Sequence, residues 1–403
     1  MLLLLSTNDD GETALKAELT DSEIFIYAVD HSQEVNLATI DRDSRTDNET
    51  CYRTAWDLLK RVPSLTLNHS KVVVPMLLTF LCQQYYVIFN YDQEVPFLNS
   101  IGLFATHEAQ IQSQSQIQGQ EQGQVLELPT LPSNVLKQRL MMFLGIFSKV
   151  TNSKGLYQHQ LLFNYWVVLL GHPDVKLSKL ALDCILTYKP SYIEMHKENI
   201  QRMLNDKTLR NELVAYDVTK EGEQIEVDDR LNLIPLLARI SYGRFMGRTK
   251  TGGKTMKENG LNRRAAILAF LNKFESNEMS YFVSMILQSI LPANLLIPSA
   301  KTYALKNMSH IDNRENIETK LSNITIKTND WIELVNDITI NTMNYTDMKN
   351  ISWNRQIGYL NVQSQIVKVL GHDILSQVDS LLSVTYALLC NAQQTRQETL
   401  EIG

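Results

Sequence analysis

Apolar residues recur at i, i+3 and i+4 along most of the chain, prolines lead equivalent helical patterns 41 residues apart, and strongly polar tracts separate these patterns. Together these observations predict an all-α protein. A unit of about 41 residues made of two helices cannot bury its own apolar stripe and must stack on a neighbour, so the expected architecture is a HEAT/armadillo-type α-α superhelical solenoid with long disordered insertions. With 403 residues, 44% of them hydrophobic, the chain is long enough for an elongated array or for two or three globular domains.

Residues 1–107 are expected to hold N-terminal helical repeats. LKAELTDSEIFIYAVD reads as a short helix and DRDSRTDNET after it as a solvated loop. Cys51, Ala55, Leu58, Leu59 and Val62 share one helix face, with Pro63 as the stop. Val72–Phe89 is apolar nearly all round, as in a helix covered on several sides. Residues 108–130 form a Gln-rich insertion with glutamine at every even position from 110 to 124. Gly, Ser and Gln bury too little surface to order themselves, so the segment reads as disordered; an aggregation-prone or partner-binding tract is the alternative.

Residues 131–298 carry the clearest repeats. Ser133 is placed to cap a helix with Leu136, Leu140, Phe143, Leu144 and Phe147 on one face. A second helix spans about Tyr157–Leu170. Pro173 opens a third, with Leu177, Leu180, Ala181, Cys184, Ile185 and Tyr188 inward, and a fourth lies near Tyr192–Leu204. Pro132 and Pro173 are the equivalent positions. Val218–Arg230 is an acidic connector, either a solvated loop or a lid folded back on the basic stretch C-terminal to it. Ser276 is placed to cap a helix bearing Phe282, Met285, Ile286 and Ile290. Residues 299–354 form a polar, Asn-rich connector in which Trp331, Ile332 and Val335 suggest one further helix. Residues 355–403 form a C-terminal helical pair around Gly371, with Ile357, Leu360, Ile366 and Leu370, then Ile374, Val378, Leu381, Leu382, Leu388 and Leu389 as its apolar positions.

The most unusual stretch runs from Leu231 to Phe274. Its first helical pattern (Leu231, Ile234, Leu237, Ala238, Ser241, Phe245) is capped by Asp228 or Asp229, and Pro235 either kinks it or marks its first turn. Its second has Ala265, Leu268, Leu271 and Phe274, with Arg263 and Arg264 at its start beside free backbone N–H groups. Between Arg239 and Lys273 there are nine basic residues and one acid, Glu258. The segment therefore carries +8 in a chain of −6, leaving −14 elsewhere. A polar loop between two packed helices, so charged, reads as a basic tongue: an anion-binding surface through Arg244, Arg248, Lys250, Lys254, Lys257, Arg263 and Arg264, or an ordinary solvated charged loop.

This stretch resembles the DRIM ("down-regulated in metastasis") family, giant HEAT-repeat proteins of the small-subunit processome associated with the U-three small nucleolar RNA. The matching pieces are the helix ending ISYGRF, the basic Gly-containing loop, RRAAILAFL and the upstream YKPSYIEMHKENIQRMLNDKTLRNEL, covering roughly Leu169 to Leu291, with a weaker echo in RQIGYLNVQSQIVKVLG. The resemblance implies an extended helical scaffold for ribosome biogenesis and pre-rRNA processing in the nucleolus of the nucleus. Its implied partners are pre-ribosomal RNA or snoRNA and other processome assembly proteins. Family members are several times longer, so a fragment or short form is expected.

Other chemistries lack their residues. GRTKTGGKT has five residues between Gly247 and Gly253 where a phosphate-cradling P-loop has four, and a helix pattern rather than a strand precedes it. The eight histidines are scattered without a Cys/His cluster, and His172 reads as a residue leading into a helix rather than a metal ligand. No catalytic constellation, metal site, cofactor or small-molecule substrate is expected, and the chain reads as no enzyme. Cys51, Cys82, Cys184 and Cys390 lie far apart, as buried thiols of a reducing compartment do. MLLLLSTNDD lacks the basic start of a signal peptide, and no apolar run reaches membrane-spanning length. The six Asn-x-Ser/Thr sites therefore reflect composition alone.

Two functional readings are open. The first is a scaffold whose tongue contacts RNA backbone without regard to sequence, because the tongue has no aromatic residues for stacking. About five neutralised phosphates would give a log–log salt slope of roughly −3 to −5. The second is a HEAT-repeat transport or adaptor protein whose tongue grips acidic peptides.

Overall fold

The computed structural model describes residues 54–86, 131–222, 224–247, 254–291, 295 and 328–402. Packing divides the chain into two units, Met1–Arg61 and Val62–Gly403. In the first, residues 54–61 are helical. The Gln-rich tract of 108–130 lies outside the described residues, as do residues 1–53 and 299–327.

The second unit is an all-α helical-repeat solenoid: its regular elements are helices, and among the described residues there is no strand. Pro63 ends one helix and begins the next, α1 (Pro63–Asn68), where its missing N–H removes no helical hydrogen bond. Helix α2 (Ser70–Phe80) passes through Pro75 and continues as a π-helical turn at Leu81–Tyr85. Val73, Val74, Leu77, Leu78 and Phe80 are all buried there, which explains the nearly all-round apolar pattern.

Helices α3 (Ser133–Phe147), α4 (His159–Leu170) and α5 (Val175–Leu186) come next. Helix α5 packs on both α4 and α3, so the helices led by Pro132 and Pro173 lie side by side, as stacked units require. The α3 stripe of Leu136, Leu140, Phe143, Leu144 and Phe147 is buried, with Phe147 5.5 Å from Trp166 of α4. The Cys184 thiol donates to the Leu144 carbonyl at 3.3 Å across the same seam. Ser133 proves to be the first helical residue, without a side-chain cap; Asp174 does cap α5, accepting from the Lys176 N–H at 3.0 Å.

The helix expected over 192–204 is broken into α6 (Ser191–Glu194) and α7 (Lys197–Met203). At the break, the His196 ring shares a 2.8 Å hydrogen bond with the Tyr216 hydroxyl, a contact the helical pattern gives no sign of. Helix α8 (Leu209–Ala215) leads to the long α9 (Val227–Met246), α10 (Lys254–Leu271) and α11 (Ser276–Gln288). Helix α9 touches α4, α6, α10 and α11, so it is buried nearly all round: Leu233, Leu236 and Ile240 are inside along with the expected Ile234, Leu237 and Phe245. Leu231, read as inward, is exposed instead. Pro235 lies within α9, and Asp228 and Asp229 occupy its first turn, where they favour the helix dipole without capping it. Glu275, not Ser276, caps α11, in a reciprocal box with Glu278.

The unit ends with α12 (Thr328–Asp337), α13 (Trp353–Leu370) and α14 (Val378–Ile402). The first of these is the helix expected from Trp331, Ile332 and Val335. Gly371 takes a positive φ of 43° and ends α13, a geometry that favours glycine. Ile357, Leu382 and Leu389, read as core, are exposed; the expected Ile366, Leu370, Ile374, Leu381 and Leu388 are buried, joined by Tyr359, Val362 and Val384. Periodicity identifies apolar faces, and these helices have more than one.

The contact between α9 and the α4–α5 turn is close enough to dictate sequence. A Cβ on Gly243 would lie 2.7 Å from the Gly171 carbonyl oxygen, whereas one on Gly358 of α13 would meet nothing within 4 Å. In urea unfolding, Gly243→Ala is expected to lose about 1–3 kcal/mol through overpacking. Gly358→Ala is expected to gain up to about 1 kcal/mol from helix propensity.

In the same turn, His172 is buried and its Nδ1 accepts the Asp174 N–H at 2.9 Å. Burial pushes its pKa down to about 4 from 6.5, against the charge of Asp174. The unfolded chain then binds a proton near 6.5 that the folded chain refuses until about pH 4, so this contribution is complete above 6.5 and is lost as pH falls through that window. The expected loss is on the order of 3 kcal/mol by pH 4. Thermal unfolding of His172→Asn should show a flatter pH dependence than the parent.

Candidate functional site

The basic segment is built from the end of α9 and the whole of α10. Helix α10 begins at Lys254, well before the expected start near Arg263, because Lys, Met and Glu in KTMKENGLN are helix formers that outweigh Gly260. Arg263 and Arg264 are therefore inside α10 rather than at its N-terminus. Residues 248–253, with Arg248 and Lys250, link the two helices and lie outside the described residues. Lys254 and Lys257 belong to the first turns of α10.

Five of the nine basic residues have partners within the fold. Arg244 is 5% exposed and its Nη2 donates to Oδ1 of Asp206, in the turn between α7 and α8. Arg263 donates from Nη2 to the Gly247 carbonyl. Arg264 donates from Nε to the Phe245 carbonyl at 3.2 Å and sits 5.2 Å over the Phe245 ring. The carbonyls of a helix's last turn have no helical donors, so the two arginines of α10 finish α9 and fix the base of the link. Arg239 lies 5.5 Å from the ring centre of Tyr281 on α11. Lys273 donates from Nζ to the carbonyls of Leu213, Val214 and Tyr216 at 3.2, 3.1 and 2.7 Å, closing the end of α8.

These placements carry electrostatic consequences. Burial lowers the pKa of Arg263, Arg264 and Lys273, and the neighbouring charge of Arg244 lowers Arg263 further. For Asp206, desolvation pulls upward but the hydrogen bond and charge of Arg244, with the charges of Arg263 and Lys179, hold it below its ordinary value. Sequence reasoning missed Asp206, since a lone acid in LNDKT gives no sign of a partner 38 residues away.

The acidic connector does not read as a simple solvated loop. Arg230, at its end, is buried and forms a two-pronged pair with Glu278 of α11 at 2.6 and 2.7 Å. Its Nη1 donates to the Val218 carbonyl at 2.8 Å, and Lys220 pairs with Glu275 at 2.9 Å. These pairs tie the connector to the start of α11. Glu278→Gln leaves a buried guanidinium without its counter-charge and is expected to cost about 3–5 kcal/mol in denaturant unfolding. Replacing both partners (Arg230→Met with Glu278→Leu) should restore most of that loss.

Chemically, the site offers fixed positive charge. The segment before GRTKTGGKT is helix α9, so the strand that a P-loop needs is absent from that position. Among the described residues no group of three His, Cys, Asp or Glu could hold a metal ion, and none of their helices is long and apolar enough to cross a membrane. Cys184 is buried, while Cys82 and Cys390 are partly exposed; all three are free thiols.

Comparison with known proteins identifies a family. A family model described as "U3 small nucleolar RNA-associated protein 20, N-terminal" matches residues 134–401, a span holding α4 to α13 entire and the whole basic segment. U3 small nucleolar RNA-associated protein 20 of Saccharomyces cerevisiae is 27% identical over 143 residues, 36% of this chain and 6% of that protein. Its namesake in Schizosaccharomyces pombe is 25% identical over 263 residues, 64% of this chain and 9% of that protein. The chain thus corresponds to a small part of the length of these relatives. With well over half of its residues matched by the family model, the chain belongs to the U3 small nucleolar RNA-associated protein 20 family, the one its DRIM-type segment resembles.

Proposed function

We propose that this chain is a non-enzymatic scaffold in ribosome biogenesis, a part of the small-subunit processome that supports pre-rRNA processing in the nucleolus. Its stacked helices present surface to other assembly proteins, and the link at the end of α9 contacts RNA backbone. Relatives named for association with the U3 small nucleolar RNA support the biological setting.

One observation carries the RNA contact. Arg239, Arg244, Arg263, Arg264 and Lys273 serve the fold, and the remaining four cations, Arg248, Lys250, Lys254 and Lys257, fall within ten residues that contain no acid. Lys254 and Lys257 occupy the start of α10, where positive charge opposes the helix dipole and a bound anion relieves the conflict. Arg263 and Arg264 hold the base of the link, so charge is presented on a firm mount. With no aromatic residue in 248–257, contact is to phosphate and indifferent to base.

Filter binding of the chain to structured RNA should show a log–log salt slope of roughly −3 to −4, as four phosphate contacts give. Reversing Arg248, Lys250 and Lys254 to Glu should abolish the binding at unchanged helical content. No salt-sensitive binding would refute the RNA contact, and capture of acidic peptides in its place would favour an adaptor.

A further inference from the structure

Three helices and one turn bring an excess of positive charge to a single point beside the base of the link. Arg244 comes from α9, Arg263 from α10 and Lys179 from α5, and the charges of all three act on the Asp206 carboxylate. One carboxylate neutralises one cation of the three. The charge of the Arg244 guanidinium acts against that of Arg263. The buried Nε of each finds no acceptor among the described residues. Buried donors left open are rare and mark places where water or an ion completes the set.

Asp206 itself is open to solvent. Its side chain is 74% exposed although Arg244 is 5% exposed, so the carboxylate closes the notch from outside. It stands in a turn held locally by the Asn205 side chain, which accepts the Lys207 N–H at 3.2 Å, and by Thr208, whose hydroxyl donates to the Arg202 carbonyl at 2.8 Å. A rotation of one side chain would free the notch without unfolding a helix. A phosphate offers more acceptor oxygens than a carboxylate and matches the fork of an arginine.

From this arrangement we infer that Arg244, Arg263 and Lys179 form a phosphate-binding notch that Asp206 fills in the free chain and an RNA phosphate fills in the complex. The ligand's identity rests on the RNA contact proposed above. RNA is favoured over an isolated phosphoryl group because Arg263 donates to Gly247, the residue immediately before the link, and belongs to the same helix as Lys254 and Lys257. A purely structural Arg244–Asp206 pair makes the opposite forecast, in which losing the carboxylate weakens the fold and leaves RNA affinity unchanged.

The test compares the parent, Asp206→Asn and Lys179→Ala in filter binding to structured RNA, alongside thermal unfolding with inorganic phosphate against chloride at matched ionic strength. With no carboxylate to displace from the notch, Asp206→Asn is expected to bind about fivefold tighter at about 0.15 M salt. Lys179→Ala is expected to bind about that much more weakly. Inorganic phosphate is expected to raise the melting temperature of Asp206→Asn and to leave the parent unmoved. Unchanged or weaker RNA binding by a folded Asp206→Asn overturns the notch while the link reading stands. Should that variant fail to fold, Lys179→Ala decides, because Lys179 is exposed and its loss leaves the core intact; binding equal to the parent overturns the notch. If the parent binds no RNA, the link reading falls, and the phosphate arm then supports or overturns the notch without it.

Discussion

The last turn of α9 leaves backbone carbonyls with no helical donors, and Arg263 and Arg264 of the next helix supply them. Most of the structure around the basic segment depends on that requirement. A helix as deeply covered as α9 cannot end on open carbonyls, and a guanidinium reaching them must itself be partly desolvated, which lowers its affinity for the proton. The aromatic face of Phe245 receives Arg264, and the edge-on contact of Phe245 with Phe282 at 5.8 Å carries the arrangement into α11. On the other side, Gly243 and Gly247 let α9 lie against the backbone at Gly171 and Pro173. The link at 248–253 thus leaves from a base packed on both sides.

This division of labour separates structural from available charge. A run of nine basic residues looks uniform in a sequence, yet Lys273 closes the end of α8, Arg239 lies on Tyr281 and Arg244 meets Asp206. Such groups fix the fold, and Arg244 is also neutralised by a carboxylate. The other four, Arg248, Lys250, Lys254 and Lys257, fall within residues 248–257. In the proposed reading a local basic surface suits a chain whose net charge is −6, because the remainder repels polyanions.

Much of the fold was legible in the residues. The stripes of α3 and α5, the prolines that lead them and the helix at Val335 are products of spacing, which acts locally. The illegible features depend on contacts between distant parts of the chain. Nothing in YKPSYIEMHKENI marks the break at His196, whose partner Tyr216 is 20 residues on. Nothing in LNLIPLLARI distinguishes the exposed Leu231 from the buried Leu233, since which faces of α9 are covered depends on α4, α6, α10 and α11. The position of Arg263 and Arg264 was misread because a glycine-bearing polar run suggested a loop where helix formers prevailed. The candidate site was legible as charge, and illegible as to which charges are committed.

Hydrogen–deuterium exchange of the full chain with and without structured RNA addresses the central claim most directly, since it reports where contact occurs rather than whether. The account holds that RNA slows exchange from the end of α9 through the first turns of α10, while α13 and α14 exchange as before. Added protection confined to α13 and α14, with none between residues 246 and 260, would contradict it.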